Sequence, residues 1–253
     1  YEMTGASSNY WFPAVSFPAT LEYIGKGGCW SLEQVRELDL SNTKVQTIGT
    51  YAFYGCTSAV TVRLPKTLEK MGTESSTITI GDGDAKEEFT YTENVFACCD
   101  ALVNIFVDAE NPNFKDVDGI LYTKDGKKLI RYPNARPETH FDIPEGVEVI
   151  ASQAFMQSYR GGSVLETVSF PSTMKRIESL AFRQSSLTSV TLPPHTTFGT
   201  SVFDISKKLA SVTIPEGVEA LGDYMFWSCE ALTEIAFPDS LKTVGESCFG
   251  HTG

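Results

Sequence analysis

Apolar residues recur along this chain in a fixed order: two alternating positions, a proline, two further apolar positions and a phenylalanine. The segment Thr213–Pro238 reads TIPEGVEALGDYMFWSCEALTEIAFP, and the same frame fits the segments that begin at Ser16, Arg63, Asp142 and Ser169. The unit has the form V-x-I-P-x-x-V-x-x-I-G-x-x-A-F-x-x-C-x-x-L-x-x and repeats about every 23 residues. A period of this length predicts a solenoid, in which each repeat forms one coil that stacks on the next.

The first apolar pair of each repeat predicts a short strand with one buried face, because one polar residue separates its two members. Proline has no N–H to give to a sheet, so the proline after most pairs ends each strand after a few residues. We expect the strands of successive coils to form one parallel sheet. The pairs are Val15/Phe17, Leu38/Leu40, Val62/Leu64, Ile105/Val107, Phe141/Ile143, Val168/Phe170, Val190/Leu192, Val212/Ile214 and Ile235/Phe237.

The second half of the repeat carries a phenylalanine, which we expect to point into the core from an irregular or 3₁₀-like turn. Glycines before it are expected to allow a tight bend. No single coil can bury its own apolar face, so neighbours must stack around one continuous core. The phenylalanines are Phe53, Phe96, Phe155, Phe182, Phe203, Phe226 and Phe249, and the glycines are Gly25, Gly49, Gly72, Gly222 and Gly245.

These repeats closely resemble the BspA-like leucine-rich repeat family, whose units read roughly IGxxAFxxCxxLxxVxIPxxVxxIG, and the resemblance extends from Ala14 onward. It implies an α/β solenoid: a right-handed leucine-rich-repeat superhelix with a parallel sheet on one side and short 3₁₀ or irregular turns on the other. Residues 1–253 then form a single domain of about nine coils, the last of them truncated. The resemblance also implies a bacterial protein that is secreted or attached to the cell surface, and that adheres to host or cell-surface proteins.

Two stretches interrupt the repeat, and insertions in solenoids usually form loops on one face. In the first, residues 73–94, alternation on both sides of a polar turn predicts a β-hairpin. Its acidic residues could hold calcium, but their spacing does not match an EF-hand loop, so a solvated hairpin tip is the favoured interpretation. These residues are Asp82, Asp84, Glu87 and Glu88.

The second interruption, residues 110–139, predicts another hairpin, with Asp125-Gly126 at its turn. Hairpins of this kind recur in the BspA-like family, so we expect an architectural element. It carries a basic cluster on an otherwise acidic chain, formed by Lys124, Lys127, Lys128 and Arg131. The cluster is either a contact site for an acidic partner or a charged edge that prevents strand pairing.

The composition and net charge exclude some classes of partner but do not indicate a specific function. The chain has 253 residues, of which 42% are hydrophobic and 21% charged, as in ordinary globular proteins. A net charge of −12 argues against nucleic acid and anionic membranes as direct partners. No apolar stretch is long enough to span a membrane, so we expect no membrane insertion. Because the chain lacks a signal peptide, does not start with Met and ends inside a repeat, we expect a processed chain or a fragment. We also expect a monomer.

The chain has six cysteines, and Cys56, Cys99 and Cys229 fill the cysteine position of the repeat. We expect free buried thiols, because cysteine packs well as a small apolar residue. A disulfide between Cys56 and Cys99, on adjacent coils, is an open alternative. Metal binding is disfavoured because Cys98-Cys99 has no spaced cysteine or histidine pair beside it.

No motif of a known reaction centre occurs in the sequence. The histidines, His140, His195 and His251, belong to different coils and have no G-x-S-x-G nucleophile beside them. Phosphate-binding loops, H-E-x-x-H and dinucleotide-binding motifs are absent from the sequence. We therefore expect no enzyme, no cofactor and no metal.

A binding surface is easier to argue, because residues beside each V-x-I pair point away from the core. The candidates are Arg63, Asn104, Phe106, His140, Asp142, Thr167, Ser169, Ser189, Thr191, Ser211 and Thr213. They predict a hydroxyl-rich ribbon that becomes more charged and aromatic toward the N-terminal half. The alternatives are that serine and threonine merely suit exposed strands, that the solenoid is a spacer for another domain, or that Tyr51, Tyr54, Tyr224 and Trp227 bind carbohydrate.

Overall fold

The computed structural model describes residues 13–72, 94–158 and 162–253, and the backbone of two further strands within 75–80 and 87–92. Each coil has three sides, A, B and C, and strands are numbered in chain order. Side A carries the parallel strands built from the V-x-I pairs, which form three separate hydrogen-bonded groups and not the one sheet expected. Its strands are β2 (Glu37–Asp39), β4 (Thr61–Leu64), β8 (Asn104–Val107), β12 (His140–Asp142), β14 (Thr167–Ser169), β16 (Ser189–Thr191) and β18 (Ser211–Thr213).

Side B is a second series of short parallel strands in three hydrogen-bonded groups, and the sequence pattern did not predict it. It is built from the V-x-x-I-G half of the repeat and packs its isoleucines inward. Its strands are β1 (Tyr23–Ile24), β3 (Thr47–Ile48), β5 (Lys70–Met71), β11 (Lys128–Arg131), β13 (Val149–Ile150), β15 (Arg176–Ile177), β17 (Thr197–Phe198), β19 (Ala220–Leu221) and β20 (Thr243–Val244). The described residues contain no α-helix or 3₁₀-helix, so the solenoid is confirmed but the α/β class is not.

Seven of the nine predicted pairs begin on strands of side A: β4 and β8 contain both members, and in the other five the second member directly follows the strand. The first and last pairs do not: no strand is assigned at Val15/Phe17 or Ile235/Phe237. Phe237 is half-exposed. Both pairs belong to the terminal coils of the described chain, where a neighbouring coil is present on one side only, so part of their apolar surface stays uncovered.

Side C is the turn that carries the phenylalanine, and its backbone explains why it is not a 3₁₀-helix. Residues two positions before and two positions after the phenylalanine have positive φ, among them Tyr51, Gln153, Leu180, Ser201, Tyr224 and Ser247 before it and Cys98, Gln184, Ile205, Ser228 and His251 after it. This left-handed conformation costs a non-glycine residue about 1 kcal/mol or more. In return it directs alternate N–H groups at the next coil: Ser201, Phe203 and Ile205 donate to the carbonyls of Asp223, Met225 and Trp227, all at 2.8 Å.

The predicted phenylalanine column is confirmed as a stack of rings. Phe155, Phe182, Phe203, Phe226 and Phe249 follow one another with centroids 4.5–5.4 Å apart and nearly parallel planes. Phe53 and Phe96 form the corresponding pair in the N-terminal half, at 5.8 Å. Tyr132 occupies the same position in the coil between the two groups, with its ring 5.0 Å from that of Phe155. The sequence analysis missed it because that coil has no A-F motif.

The core is not continuous, contrary to the expectation, because the second insertion divides it. The predicted hairpin with its turn at Asp125-Gly126 is confirmed as β10 (Ile120–Thr123) and β11, and β9 (Phe114–Val117) adds a third antiparallel strand to it. Alternate side chains of β10 face opposite ways, so Leu121 belongs to the N-terminal core and Ile120 and Tyr122 to the C-terminal one. The hairpin β9–β10 is thus a partition between two cores, and we call it the septum.

The first insertion also forms an antiparallel hairpin, as predicted. Its strands are β6 (Ser75–Ile80) and β7 (Glu87–Thr92), paired from Ser75↔Thr92 to Ile80↔Glu87. Among the described strands, these two contact only each other. The hairpin leaves the solenoid after Gly72 and returns at Asn94, next to the septum.

The repeat glycines serve a different purpose from the one predicted. Of the five expected at bends, only Gly72 has a positive φ. Gly222 is required by close packing, because a Cβ there would overlap the carbonyl oxygen of Gly199 in the preceding coil. Gly25 is at the same position of the first described coil, where no described coil precedes it, and a Cβ there would meet only the exposed side chain of Tyr23.

We predict that Gly222→Ala lowers the free energy of unfolding by about 2 kcal/mol, because two backbones must move apart to admit a methyl group. The matched variant Gly25→Ala is expected to change it by less than about 0.5 kcal/mol. Urea denaturation of both variants measures the difference. Equal effects of the two substitutions would contradict this explanation of the glycine column.

All six cysteines are free, so the alternative disulfide between Cys56 and Cys99 is not formed. Thiols at the repeat position donate weak hydrogen bonds to the preceding coil: Cys56 to the Cys29 carbonyl, Cys99 to that of Phe53 and Cys229 to that of Phe203, at 3.1–3.4 Å. Burial raises the pKa of the Cys229 and Cys248 thiols to about 12. These thiols are therefore protonated and unreactive in the folded chain.

A thiol titration without reductant tests this description. In denaturant all six cysteines are expected to react, whereas in the folded protein near neutral pH the buried thiols are expected to react far more slowly than the partly exposed Cys29. Fewer than six reactive thiols after unfolding would show that a disulfide exists.

Asp204 is a buried carboxylate in an unfavourable setting. Its Oδ2 lies 3.2 Å from Nε of Arg183, yet no hydrogen bond forms between the two, and Oδ1 has no partner among the described residues. Loss of solvation outweighs the attraction of Arg183 and raises the pKa of Asp204 from 3.8 to about 6. The fold therefore favours the protonated carboxyl group.

The stabilising contribution of this proton is complete below pH 3.8 and is lost as the pH rises through about 6. Asp204→Asn cannot ionise. Relative to the parent protein, its free energy of unfolding is expected to increase by about 3 kcal/mol between pH 4 and pH 7. Denaturation curves at both pH values measure this change, and a difference that does not depend on pH would refute the assignment.

Candidate functional site

The exposed face of side A, which carries the residues predicted to bind a partner, is divided by the septum. The turn at Asp118 and Gly119 lies along the outer edge of β8, where Ile105 N–H donates to the Gly119 carbonyl at 2.9 Å. Arg136 fixes this turn from the next coil, with Nη2 2.8 Å from the Asp118 carboxylate. As a result β8 does not pair with β12, and the candidates fall into two separate groups.

The N-terminal group lies on β2, β4 and β8. Asp39, Arg63 and Phe106 are neighbours across the three strands. The Arg63 guanidinium is 5.1 Å from the centre of the Phe106 ring, and its Nε is 3.0 Å from the carboxylate of Glu37. Phe106 is 36% exposed, which makes this a mixed aromatic and charged patch open to solvent. Asn104 is at the septum end of the patch, against Gly119.

The second group begins at His140 on β12, whose ring collects three polar neighbours. Nδ1 lies 2.7 Å from the Thr167 hydroxyl, and Nε2 lies 3.0 Å from Asp142 and 3.2 Å from Ser169. The hydrogen bonds from His140 and then Ser169 lower the pKa of Asp142. The sequence pattern did not predict that Ser169 lies beside His140.

The arrangement differs from a serine–histidine–aspartate relay, in which serine and aspartate contact opposite ring nitrogens. Here Ser169 and Asp142 share Nε2, so Asp142 competes with the hydroxyl instead of orienting the ring for it. All three side chains are exposed. The geometry is that of a polar surface cluster that can exchange hydrogen bonds with a partner.

Four hydroxyl residues on β16 and β18 complete the second group. Ser189 lies opposite Ser211, and Thr191 opposite Thr213. Ser211, Thr191 and Thr213 are exposed and Ser189 half-buried, and within the described chain no side-chain hydrogen bond engages any of the four hydroxyls. They are therefore available as donors and acceptors along the solenoid axis.

The basic cluster predicted on the second insertion is not a free contact surface. Arg131 is completely buried, and its Nη1 donates to the carbonyls of Gln153 and Met156. Burial lowers the pKa of Arg131. Lys127 pairs with Glu148, Lys128 pairs with Glu178, and Lys124 donates to the carbonyl of Ala109. Both sequence interpretations of this cluster, partner site and protective edge, assumed exposed charges and are wrong for Arg131.

On side B the septum opens a cleft of about 410 Å³ between β5 and β11. These strands are consecutive on side B, but β10 pairs with β11 in place of β5. Met71, Phe114 and Ile130 contribute apolar walls, and Lys128, Arg176 and Glu178 contribute charged groups. The repeat pattern does not predict this cleft, because the cleft depends on the path of the insertion, which no local sequence pattern specifies.

The proposed aromatic residues are only partly available. Tyr224 is buried, so it cannot form part of a surface platform. Tyr51 and Tyr54 are half-buried and pack with Trp30, whose ring stacks on Tyr51 at 6.0 Å. Trp30 is 57% exposed and is the most accessible aromatic ring of this group, although the sequence analysis did not single it out.

Metal and membrane sites gain no support from the described residues. Within them, no group of three potential ligands among histidine, cysteine, aspartate and glutamate comes together. The side chains proposed for calcium in the first insertion, those of Asp82, Asp84, Glu87 and Glu88, lie outside the described part of the chain. The described segments also contain no helix that could cross a membrane.

Comparison with solved structures supports the solenoid. A leucine-rich repeat protein from Eubacterium ventriosum aligns over 91% of this chain and 80% of its own length, with 19% identity and a TM-score of 0.51. The pneumococcal vaccine antigen PcpA aligns over 90% of this chain with 22% identity and a TM-score of 0.58, and this chain spans 61% of the antigen's length. At these identities the likeness concerns the fold alone. No curated protein sequence matches this chain.

The sequence profile of the BspA type leucine rich repeat region matches six copies, over residues 8–117 and 133–253. The gap between the two matched stretches falls on the septum strand β10 and on β11, where the repeat is interrupted. These matches cover most of the chain. The chain therefore belongs to the BspA-type leucine-rich repeat family.

Proposed function

We propose that this protein is a non-catalytic binding module of the cell surface or extracellular space, which recognises a protein partner through the exposed face of side A. The observation that carries the proposal is the cross-strand patch of Asp39, Arg63 and Phe106. An aromatic ring and a guanidinium held side by side in solvent are the residue types that dominate binding energy at protein interfaces.

Membership of a family of bacterial leucine-rich repeat proteins supports a role in protein binding or adhesion in general terms. The His140 cluster and the hydroxyls of β16 and β18 extend the polar surface along the axis, which suits an extended partner. The net charge of −12 favours a partner with basic character over nucleic acid. In this proposal the protein acts as a monomer and needs no cofactor.

Two other functions remain open to test. Carbohydrate recognition is favoured by the exposed ring of Trp30 over Tyr51 and Tyr54, because sugars stack on aromatic faces and this cluster lies apart from the side A patch. A spacer that displays another domain of a longer protein is favoured by the elongated stack of coils. A spacer would tolerate substitutions on every exposed face.

We expect binding to the purified chain in a screen of immobilised extracellular-matrix proteins, host cell-surface proteins and glycans. Arg63→Glu and Phe106→Ala should each weaken binding to the selected protein about tenfold or more, as is typical of interface hot spots. Lys242→Glu is the matched control, since Lys242 is also an exposed cation paired with a glutamate, Glu219, but on side B.

The proposal fails if no protein binds at micromolar concentrations, or if Lys242→Glu weakens binding as much as Arg63→Glu. Selective binding to a glycan that is lost in Trp30→Ala and kept in Phe106→Ala would establish the carbohydrate alternative in its place.

A further inference from the structure

The cleft on side B differs from the rest of that side because two interruptions of the repeat meet there. In most of side B consecutive strands pair directly, as β13 does with β15, and the other unpaired step, between β17 and β19, contains no inserted strand. Between β5 and β11 the septum takes the place of that pairing, and the first hairpin leaves the solenoid at Gly72 and returns at Asn94, both of which line the cleft. The cleft is therefore a specific product of the insertions.

One wall of the cleft is apolar and partly open. Met71, Phe114 and Ile130 are half-buried side chains that pack against the N-terminal core, and Leu121 is fully buried behind them. Apolar surface of this kind gains free energy when a ligand removes it from water. The volume of about 410 Å³ lies within the range of sites that hold small molecules.

The opposite wall carries charge. Lys128 reaches across the coil of Ala151 to Glu178, two coils away, with Nζ 2.8 Å from the carboxylate, and Glu178 also accepts the N–H of Ser152. Glu178 occupies the repeat position that is glycine in most coils. The coil between Lys128 and Glu178 has the small residue Ala151 at this position, which leaves room for the two side chains to meet. Lys128 and Glu178 thus neutralise each other and hold each other in place.

Arg176 is the remaining charged group of the cleft. It is exposed, and its guanidinium forms no ion pair and no hydrogen bond with any described residue. Among the described residues that line the cleft, Arg176 is therefore the one charged group without a partner. A guanidinium without a partner is well shaped to take a carboxylate through two parallel hydrogen bonds.

We propose that this cleft binds a small organic monocarboxylate whose body is an aromatic ring or a branched aliphatic chain. The apolar body contacts Met71, Phe114 and Ile130, and the carboxylate pairs with Arg176. The Lys128–Glu178 pair adds no net charge to the polar wall, so Arg176 alone balances the single negative charge of the ligand. This site is separate from the side A face and does not depend on its partner.

The test uses the full chain with phenylacetate, indole-3-acetate and 4-methylpentanoate as probes, and the matching neutral amides as controls. Ligand-observed NMR titrations should give saturable binding of at least one acid with a Kd below about 1 mM, and binding of its amide about fivefold weaker or more. Arg176→Gln should weaken binding of the acid to the level of the amide, and Met71→Gln should weaken both ligands alike.

Lys175→Gln is the matched control, because Lys175 is the neighbouring exposed cation but pairs with Glu148 and does not line the cleft. It should leave the affinity unchanged. The proposal is overturned if no acid binds saturably, if acid and amide bind equally, or if Lys175→Gln weakens binding as much as Arg176→Gln.

Discussion

The whole structure depends on one constraint: a coil of about 23 residues cannot bury its apolar side chains alone. The rings of Phe155, Phe182 and Phe203 are buried only because they stack on one another across coils. The backbone follows the same rule, since the strands of sides A and B pair between coils and the turns of side C donate their N–H groups to the next coil. Left-handed backbone on side C is maintained by this inter-coil bonding.

The septum shows how an interruption of the repeat can create new exposed surface while the coils remain stacked. Its strand β10 has apolar residues on both faces, so it closes one core with Leu121 and the other with Ile120 and Tyr122. By lying between two coils it separates the two groups of exposed residues on side A and opens the cleft on side B. The septum therefore accounts for the division of side A and takes part in forming the cleft on side B.

Much of the fold was predictable from the sequence because the repeat period, the strand pairs and the phenylalanine positions are all local patterns. Each pattern recurs in every coil, so the stacking of the coils brings its members into register. Side B escaped prediction because two-residue strands have too few positions to show alternation. Side C escaped prediction because left-handed residues there include Leu180 and Ile205, which sequence preference would place elsewhere. Tyr132 was missed because its coil is shortened and lacks the motif.

The candidate sites were less predictable than the fold. Exposed positions on side A follow from strand alternation, so residues such as Arg63 and Phe106 were identified correctly as solvent-facing. The contacts among them were not, since the closeness of Ser169 to His140 depends on coil register. The burial of Arg131 and the isolation of Arg176 depend on the path of the insertion, which no local pattern specifies.

Native-state hydrogen exchange of the phenylalanine amides measures the inter-coil stacking most directly. The N–H groups of Phe155, Phe182, Phe203 and Phe226 each donate to a carbonyl of the following coil. The account predicts that these four amides exchange only by cooperative opening, with free energies equal to within about 1 kcal/mol and close to that of global unfolding. Exchange of these amides at the rate of exposed loops would contradict the claim that successive coils hold one another folded.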